Sequence, residues 1–152
     1  MESTVKLMID TFFNKGVTLS VSELGTNGLI GSAISVVDEQ NKAYIGGFSA
    51  KETDTIEDVL GVKVKNRGEK PPSLAYGMAN CTLSIFDTDI AVGIVCNWNM
   101  ETCRMCIAYR HGGSTAYLYQ TVSLDVKKKS DGIYRIICVL CENLTTLVEN
   151  KK

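Results

Sequence analysis

The 152-residue chain reads as an α/β fold, a three-layer sandwich with a mixed central sheet of about five strands and helices on both faces. Three observations predict this. Stretches of helical periodicity alternate with short apolar strands along the chain. The run Ile90–Cys96 (Ile-Ala-Val-Gly-Ile-Val-Cys) is continuously apolar, as a strand covered on both faces must be. His111-Gly112-Gly113-Ser114 reads as a tight hairpin turn, so antiparallel pairing accompanies the parallel part.

Taken in order, Val5, Met8, Ile9, Phe12 and Phe13 fall at helical spacing, with Gly16 as a stop. Leu19 and Val21 alternate with Ser20 and Ser22, the pattern of a half-buried strand. A turn, Gly25-Thr26-Asn27-Gly28, leads into a small-residue helix whose Leu29, Ile30, Ala33 and Ile34 share one face. Asp38–Lys42 is a polar loop. Residues 43–50 (Ala-Tyr-Ile-Gly-Gly-Phe-Ser-Ala) form a second strand, where Gly46-Gly47 suggests a bulge or close approach. Thr53 is placed to cap a short helix reaching Val59-Leu60, with Gly61 after it.

Lys63–Lys70 is a charged connection. Pro71-Pro72 suits the first turn of a helix running from Ser73 to Phe86, with a face of Leu74, Ala75, Met78, Ala79, Thr82 and Ile85. After the central strand come Cys103–Tyr109 and Thr115–Leu124 across the hairpin. Ser130 or Asp131 is placed to cap a last helix with the stripe Ile133, Ile136, Ile137, Leu140, Leu144 and Leu147. No repeat is present, and residues 1–152 are expected to form one domain.

With 45 % apolar and 22 % charged residues the chain is a folding one rather than a disordered one. Sixteen basic against seventeen acidic residues leave a net charge of −1. No electrostatic footprint for nucleic acid or an anionic membrane exists in such a balance. Met1–Phe12 carries Glu2, Lys6 and Asp10 and no long apolar run, so neither a secretory leader nor a membrane span is expected. The six cysteines are then expected to be reduced and the protein intracellular, in the cytoplasm. Lys127-Lys128-Lys129 reads as a solvated turn.

The stretch Leu19–Ile34 organises the chain. A strand, a turn tolerant of positive φ and a helix start together present N–H groups where anionic ligands bind in α/β folds. Four further motifs follow in order: Gly46-Gly47; Val59-Leu60-Gly61-Val62; Gly68 with Ala75-Tyr76-Gly77-Met78-Ala79; and Val92-Gly93-Ile94. Together with Ser22-Glu23-Leu24-Gly25-Thr26-Asn27-Gly28-Leu29, this ordered set resembles the C-terminal domain of the CinA family, the nicotinamide-nucleotide amidase fold, over nearly the whole chain.

The resemblance implies hydrolysis of the carboxamide of nicotinamide mononucleotide by a serine, with a tyrosine and a lysine downstream. Those three positions are here Leu24, Lys51 and Ile56. Amide hydrolysis needs a nucleophile, a base and oxyanion donors, and Leu24 has neither a proton to give nor a lone pair. A glycine-rich loop of the family is replaced by Cys96-Asn97-Trp98-Asn99-Met100. The resemblance therefore implies a divergent member without catalytic residues, holding vestigial ligand-binding positions at Glu23, Thr26, Asn27 and Gly28. Its expected role is a non-enzymatic one, with a protein partner or a homo-oligomer, and Trp98 as an interface candidate. No cofactor is implied. Two competing readings are an amidase with relocated groups at Thr26, Lys51 or a cysteine, and a nucleotide-binding module without turnover. In the bland reading, Glu23 is a buried carboxylate bonded to nearby backbone N–H groups and Thr26 caps the helix.

Cys103-x-x-Cys106 with Cys138-x-x-Cys141 matches a zinc spacing. However, a three-residue offset points two strand cysteines to opposite faces, and Cys138 and Cys141 lie in an apolar helix. No metal site is expected. His111, the only histidine, would need Cys96, Cys103 or Cys106 beside it to form a nucleophilic pair, and reads as a turn residue. Trp98 with Tyr109, Tyr117 and Tyr119 is a candidate aromatic surface.

Overall fold

A computed structural model of the chain describes residues 1–40, 43–60 and 71–150. Among these, ten elements follow in the order α1 (Glu2–Lys15), β1 (Leu19–Leu24), α2 (Leu29–Val37), β2 (Tyr44–Ala50), α3 (Thr53–Leu60), α4 (Pro71–Phe86), β3 (Ile90–Asn97), β4 (Thr102–His111), β5 (Ser114–Ser123) and α5 (Lys129–Glu149). The strands form one sheet in the order β2-β1-β3-β4-β5. β1 runs parallel to β2 and β3, while β3–β4 and β4–β5 are antiparallel. The sheet is therefore mixed, with helices on both faces, as the apolar run and the Gly-Gly turn predict. The motif positions Gly61, Val62 and Gly68, the Lys63–Lys70 connection and the polar loop's Asn41-Lys42 lie outside the described residues.

The period of two along each strand sorts side chains into two cores. Leu19, Val21, Val92, Ile94, Cys96, Cys103, Met105 and Ile107 pack with α1, α2 and α5. Leu24, Ala50, Ala91, Val95, Cys106 and Ala108 pack with Ile56 and Leu60 of α3 and Ala75, Met78, Ala79 and Leu83 of α4. Cys103 and Cys106 thus lie on opposite faces of the sheet.

Several local expectations are corrected. β1 is buried along its whole length, not half-buried. It sits between β2 and β3 with helices above and below, and Ser20 is covered because its hydroxyl pairs with that of Thr88 at 2.7 Å. Ile85 of α4 is exposed, and Leu83, four residues after Ala79, takes its place in the core. Phe13 and Leu29 are also exposed. α5 begins at Lys129 after Lys128, with no side-chain cap, so Ser130 and Asp131 lie inside the first turn, where Asp131 complements the helix dipole. The hairpin is as read, with Gly112 at φ 56° and Gly113 at φ 85° joining β4 to β5, a two-residue turn with both central residues at positive φ.

The close seat of α4 depends on Gly93 in β3. A Cβ there would stand 2.3 Å from the Ala75 carbonyl oxygen and 2.8 Å from the Ala79 nitrogen. Both obstacles are backbone, so a side chain can fit only if the helix lifts off the sheet. Gly93→Ala is expected to destabilise the protein by about 3 kcal/mol, the upper range for overpacking. Urea unfolding followed by circular dichroism measures it.

Candidate functional site at the turn after strand β1

The turn between β1 and α2 is built by a carboxylate. Glu23 is the last residue of β1 to face α2, and it is 3 % exposed. Its Oε1 accepts the Thr26 hydroxyl proton at 2.5 Å and the Ile30 N–H at 3.1 Å, and its Oε2 accepts the Gly31 N–H at 2.9 Å. Ile30 and Gly31 are the second and third residues of α2, whose N-terminal N–H groups have no partner within the helix. Glu23 thus caps α2 across the turn, with its charge at the positive end of the helix dipole.

Thr26 does not cap the helix with its side chain. Its hydroxyl proton is given to Glu23, and Gly28 at φ 74° stands at the N-cap without a side-chain bond. Asn27 adopts φ 53° and Gly25 φ 88°, conformations that suit these residue types. A Cβ on Gly25 would meet the Cys96 carbonyl oxygen at 2.4 Å, so this glycine lets the turn press against the end of β3. The N–H pair that a phosphate would seek at this helix start is filled by the protein's own carboxylate.

Tyr44, at the start of β2, reaches into the same region. A Cβ on Gly31 would stand 2.7 Å from its hydroxyl and 3.1 Å from Glu23 Oε2. Burial, with the Glu23 charge adding to it, pushes the Tyr44 phenol up to about 12. Sequence reasoning missed Tyr44, because nothing in a strand pattern tells which helix turn an edge-strand side chain will cover.

The positions that the resemblance assigns to serine, tyrosine and lysine lie elsewhere. Leu24 faces the opposite side of the sheet from Glu23, and it is buried in one apolar cluster with Ala50, Ile56 and Leu60. Ile56 is fully buried there. Lys51 is exposed just after β2. The hydroxyl of Thr26 has Glu23, not Lys51, as its partner.

Trp98 closes the turn from the other side. Its indole N–H donates to the Gly25 carbonyl at 2.8 Å. The ring lies against Gly132 of α5, where a Cβ would stand 2.8 Å from Cζ3, and Lys129 Nζ sits 5.4 Å from the ring centroid. Lys129 is therefore engaged rather than simply solvated. The expected aromatic surface does not form as one patch. Trp98 and Tyr109 pack on the α5 side, Tyr117 packs on the α4 side against Tyr76, and Tyr119 is exposed. His111 is at the far end of β4 from Cys103, about 26 Å along the strand at 3.3 Å per residue, which excludes a pair with Cys103 or with its neighbour Cys96. Among the described residues no cluster of three or more His, Cys, Asp or Glu is arranged to hold a metal ion, and no helix is long and apolar enough to cross a membrane.

The architecture has known counterparts. Competence damage-inducible protein A of Klebsiella pneumoniae superposes with a TM-score of 0.82 at 13 % identity, over 99 % of this chain and 98 % of that one. The competence/damage inducible protein CihA of Agrobacterium tumefaciens gives 0.81 at 19 %, over 96 % and 94 %. At such identities the likeness establishes the fold. A CinA-like protein of Prochlorococcus marinus is 29 % identical over 96 residues, 61 % of this chain. This chain has the fold of those proteins and is similar in sequence to a CinA-like protein. It spans about a quarter (23 %) of the length of that curated relative. No family model matches it.

Two predictions test the turn. Glu23→Ala leaves two helix N–H groups and a hydroxyl without their acceptor and is expected to cost about 3 kcal/mol; Thr26→Val is expected to cost about 1.5 kcal/mol. The double variant should cost less than the sum, since each removes the other's partner, and urea denaturation of all three variants reads the coupling. The Tyr44 phenol should ionise near pH 12, followed by phenolate absorbance. Because its folded pKa lies above the unfolded value, its contribution to stability is complete below pH 10 and is lost as pH rises toward about 12. Tyr44→Phe should flatten that loss.

Proposed function

We propose that this chain is a catalytically silent CinA-like domain, retained for its fold and acting through a protein partner or a second copy of itself. The observation that carries the reading is the placement of Leu24 and Ile56 together, buried in one apolar cluster. At the two positions that the resemblance gives to a nucleophile and its lysine, hydrocarbon contributes to the core. The cysteine buried in that cluster, Cys106, has its thiol pushed up to about 11, chiefly by burial; of the hydroxyls two residues from Leu24, Ser22 donates to the Val92 carbonyl and Thr26 is bonded to Glu23 on the other side of the sheet. The same carboxylate fills the N–H groups of α2, which supports silence toward nucleotide phosphate as well.

For a partner, the surface between α1, α2 and α5 supports the reading. A groove of about 590 Å³ is lined there by Leu29, Ala33, Val36, Ile133, Tyr134 and other residues of the three helices. Val36 is 70 % exposed, Tyr134 51 % and Leu29 48 %. A contiguous apolar stretch of this kind is what protein contacts cover.

Incubation with nicotinamide mononucleotide is expected to release no ammonia and to leave the melting temperature unchanged. Ammonia release abolished by Thr26→Val would overturn the reading in favour of a relocated amidase. A melting shift without ammonia would make the chain a nucleotide-binding module. For assembly, Val36→Glu is expected to lower the apparent mass or weaken partner capture in light scattering while leaving the circular dichroism spectrum unchanged.

A further inference from the structure

Cys96 and Cys103 stand directly opposite each other across the antiparallel pair β3–β4, and both side chains belong to the core on the α5 side of the sheet. Directly paired residues of antiparallel strands have Cα atoms about 4.5–5.5 Å apart, inside the 4.4–6.8 Å span that a disulfide bridges. The hairpin brings them together: β3 ends at Asn97, β4 starts at Thr102, and the Glu101 N–H closes the intervening turn on the Trp98 carbonyl at 3.2 Å. All six cysteines are free thiols, and no other two cysteines are strand partners in the sheet.

The two thiols differ in surroundings. Cys103 is fully buried, whereas Cys96 keeps 8 % of its surface at the strand end beside Gly25 and Trp98. The Cys96 thiol is held below its ordinary value, chiefly by a hydrogen bond from Cys103 and further by the Lys129 ammonium, against the opposing effect of burial. Cys103 is pushed up by its role as donor in that bond, by burial and by the Cys96 and Glu23 charges. Cys96 is thus the more readily ionised of the two and Cys103 the one that holds its proton, an asymmetry suited to stepwise dithiol oxidation.

We propose that Cys96 and Cys103 form a redox-active dithiol that a hydroperoxide converts to a cross-strand disulfide in the folded protein. The Cys96 thiolate attacks one peroxide oxygen; the S–O bond forms, the O–O bond breaks, and the other oxygen leaves as hydroxide or alkoxide and takes up a proton. The Cys103 sulfur then attacks the Cys96 sulfenic sulfur. The S–S bond forms, the S–O bond breaks, and the departing hydroxide leaves as water with the Cys103 proton. Two thiols lose two electrons in total, and the peroxide is reduced by two. A small-molecule dithiol reverses the bond by exchange.

The test uses the full chain and hydrogen peroxide. After oxidation, blocking of the remaining thiols and digestion after Glu101 and Arg104, mass spectrometry should find the Thr102–Arg104 peptide joined to the one bearing Cys96, with the loss of two hydrogens. Dithiothreitol should undo the link. Trp98, the only tryptophan of the chain, packs on the same core, so its emission should change with oxidation and recover on reduction. Cys103→Ser should leave a Cys96 sulfenic acid that dimedone traps, and Cys96→Ser should leave Cys103 unmodified at the same peroxide dose. Exclusive reaction at Cys81 or Cys138, or a Cys96–Cys103 link found only in urea-unfolded protein, would overturn the proposal.

Discussion

The structure depends on a charge held at the start of a helix. Glu23 is carried into the interior by β1, and its burial is tolerable only because a hydroxyl and two amide N–H groups meet it. A carboxylate without such partners would cost far more than a helix cap returns. With them, one side chain joins the sheet to α2, fixes the turn between, and satisfies donors that would otherwise be buried without acceptors. The positive φ angles at Gly25, Asn27 and Gly28 follow from this tie, because the chain must fold back tightly enough for residues 30 and 31 to face residue 23.

The same strand keeps the polar turn apart from the apolar layer behind it. Successive strand residues point to opposite faces, so Glu23 and Leu24, adjacent in sequence, belong to different layers. The polar network of Glu23 and Thr26 faces α2; the Leu24 cluster faces α3 and α4. The Thr26 hydroxyl therefore lies in a different layer from Leu24, while Ser22, on the same face as Leu24, donates to the Val92 carbonyl. The α4 side is an apolar core, and the Glu23 cap lies on the other side.

Much of the fold was legible because period and punctuation agree: the apolar run of β3, the Gly-Gly hairpin and the stripe of α5 each identify one element and its exposure. The burial of Glu23 on backbone N–H groups was legible for the same local reason, a carboxylate before a glycine-rich turn. Ser20 and Ser22 misled because small polar residues on a covered strand look like a solvent face until their partners, Thr88 among them, are known. The Cys96–Cys103 pairing was not legible as a pair. It depends on hairpin register, and Trp98 with its neighbours gives no turn signature that would fix the register. Tyr44 and Lys129 escaped for a related reason, since their neighbours are far away in sequence.

Trp98 shows how these long-range contacts act together. Its indole N–H is bonded to the carbonyl of Gly25, its ring rests on Gly132 of α5, and Lys129 lies over it. Three separate segments, the β1–α2 turn, the β3–β4 hairpin and the start of α5, are thereby held on one side chain. The loop after β3 is occupied by an aromatic ring that the protein uses internally. Space for a ligand at the turn is reduced by that ring on one side and by the Glu23 cap on the other. The Cys96–Cys103 pair lies at the base of the same hairpin, so the oxidation state of two sulfurs and the seating of Trp98 share one piece of backbone. The end of the sheet where β1 and β3 terminate is a braced structural junction, and the open apolar surface lies instead among α1, α2 and α5.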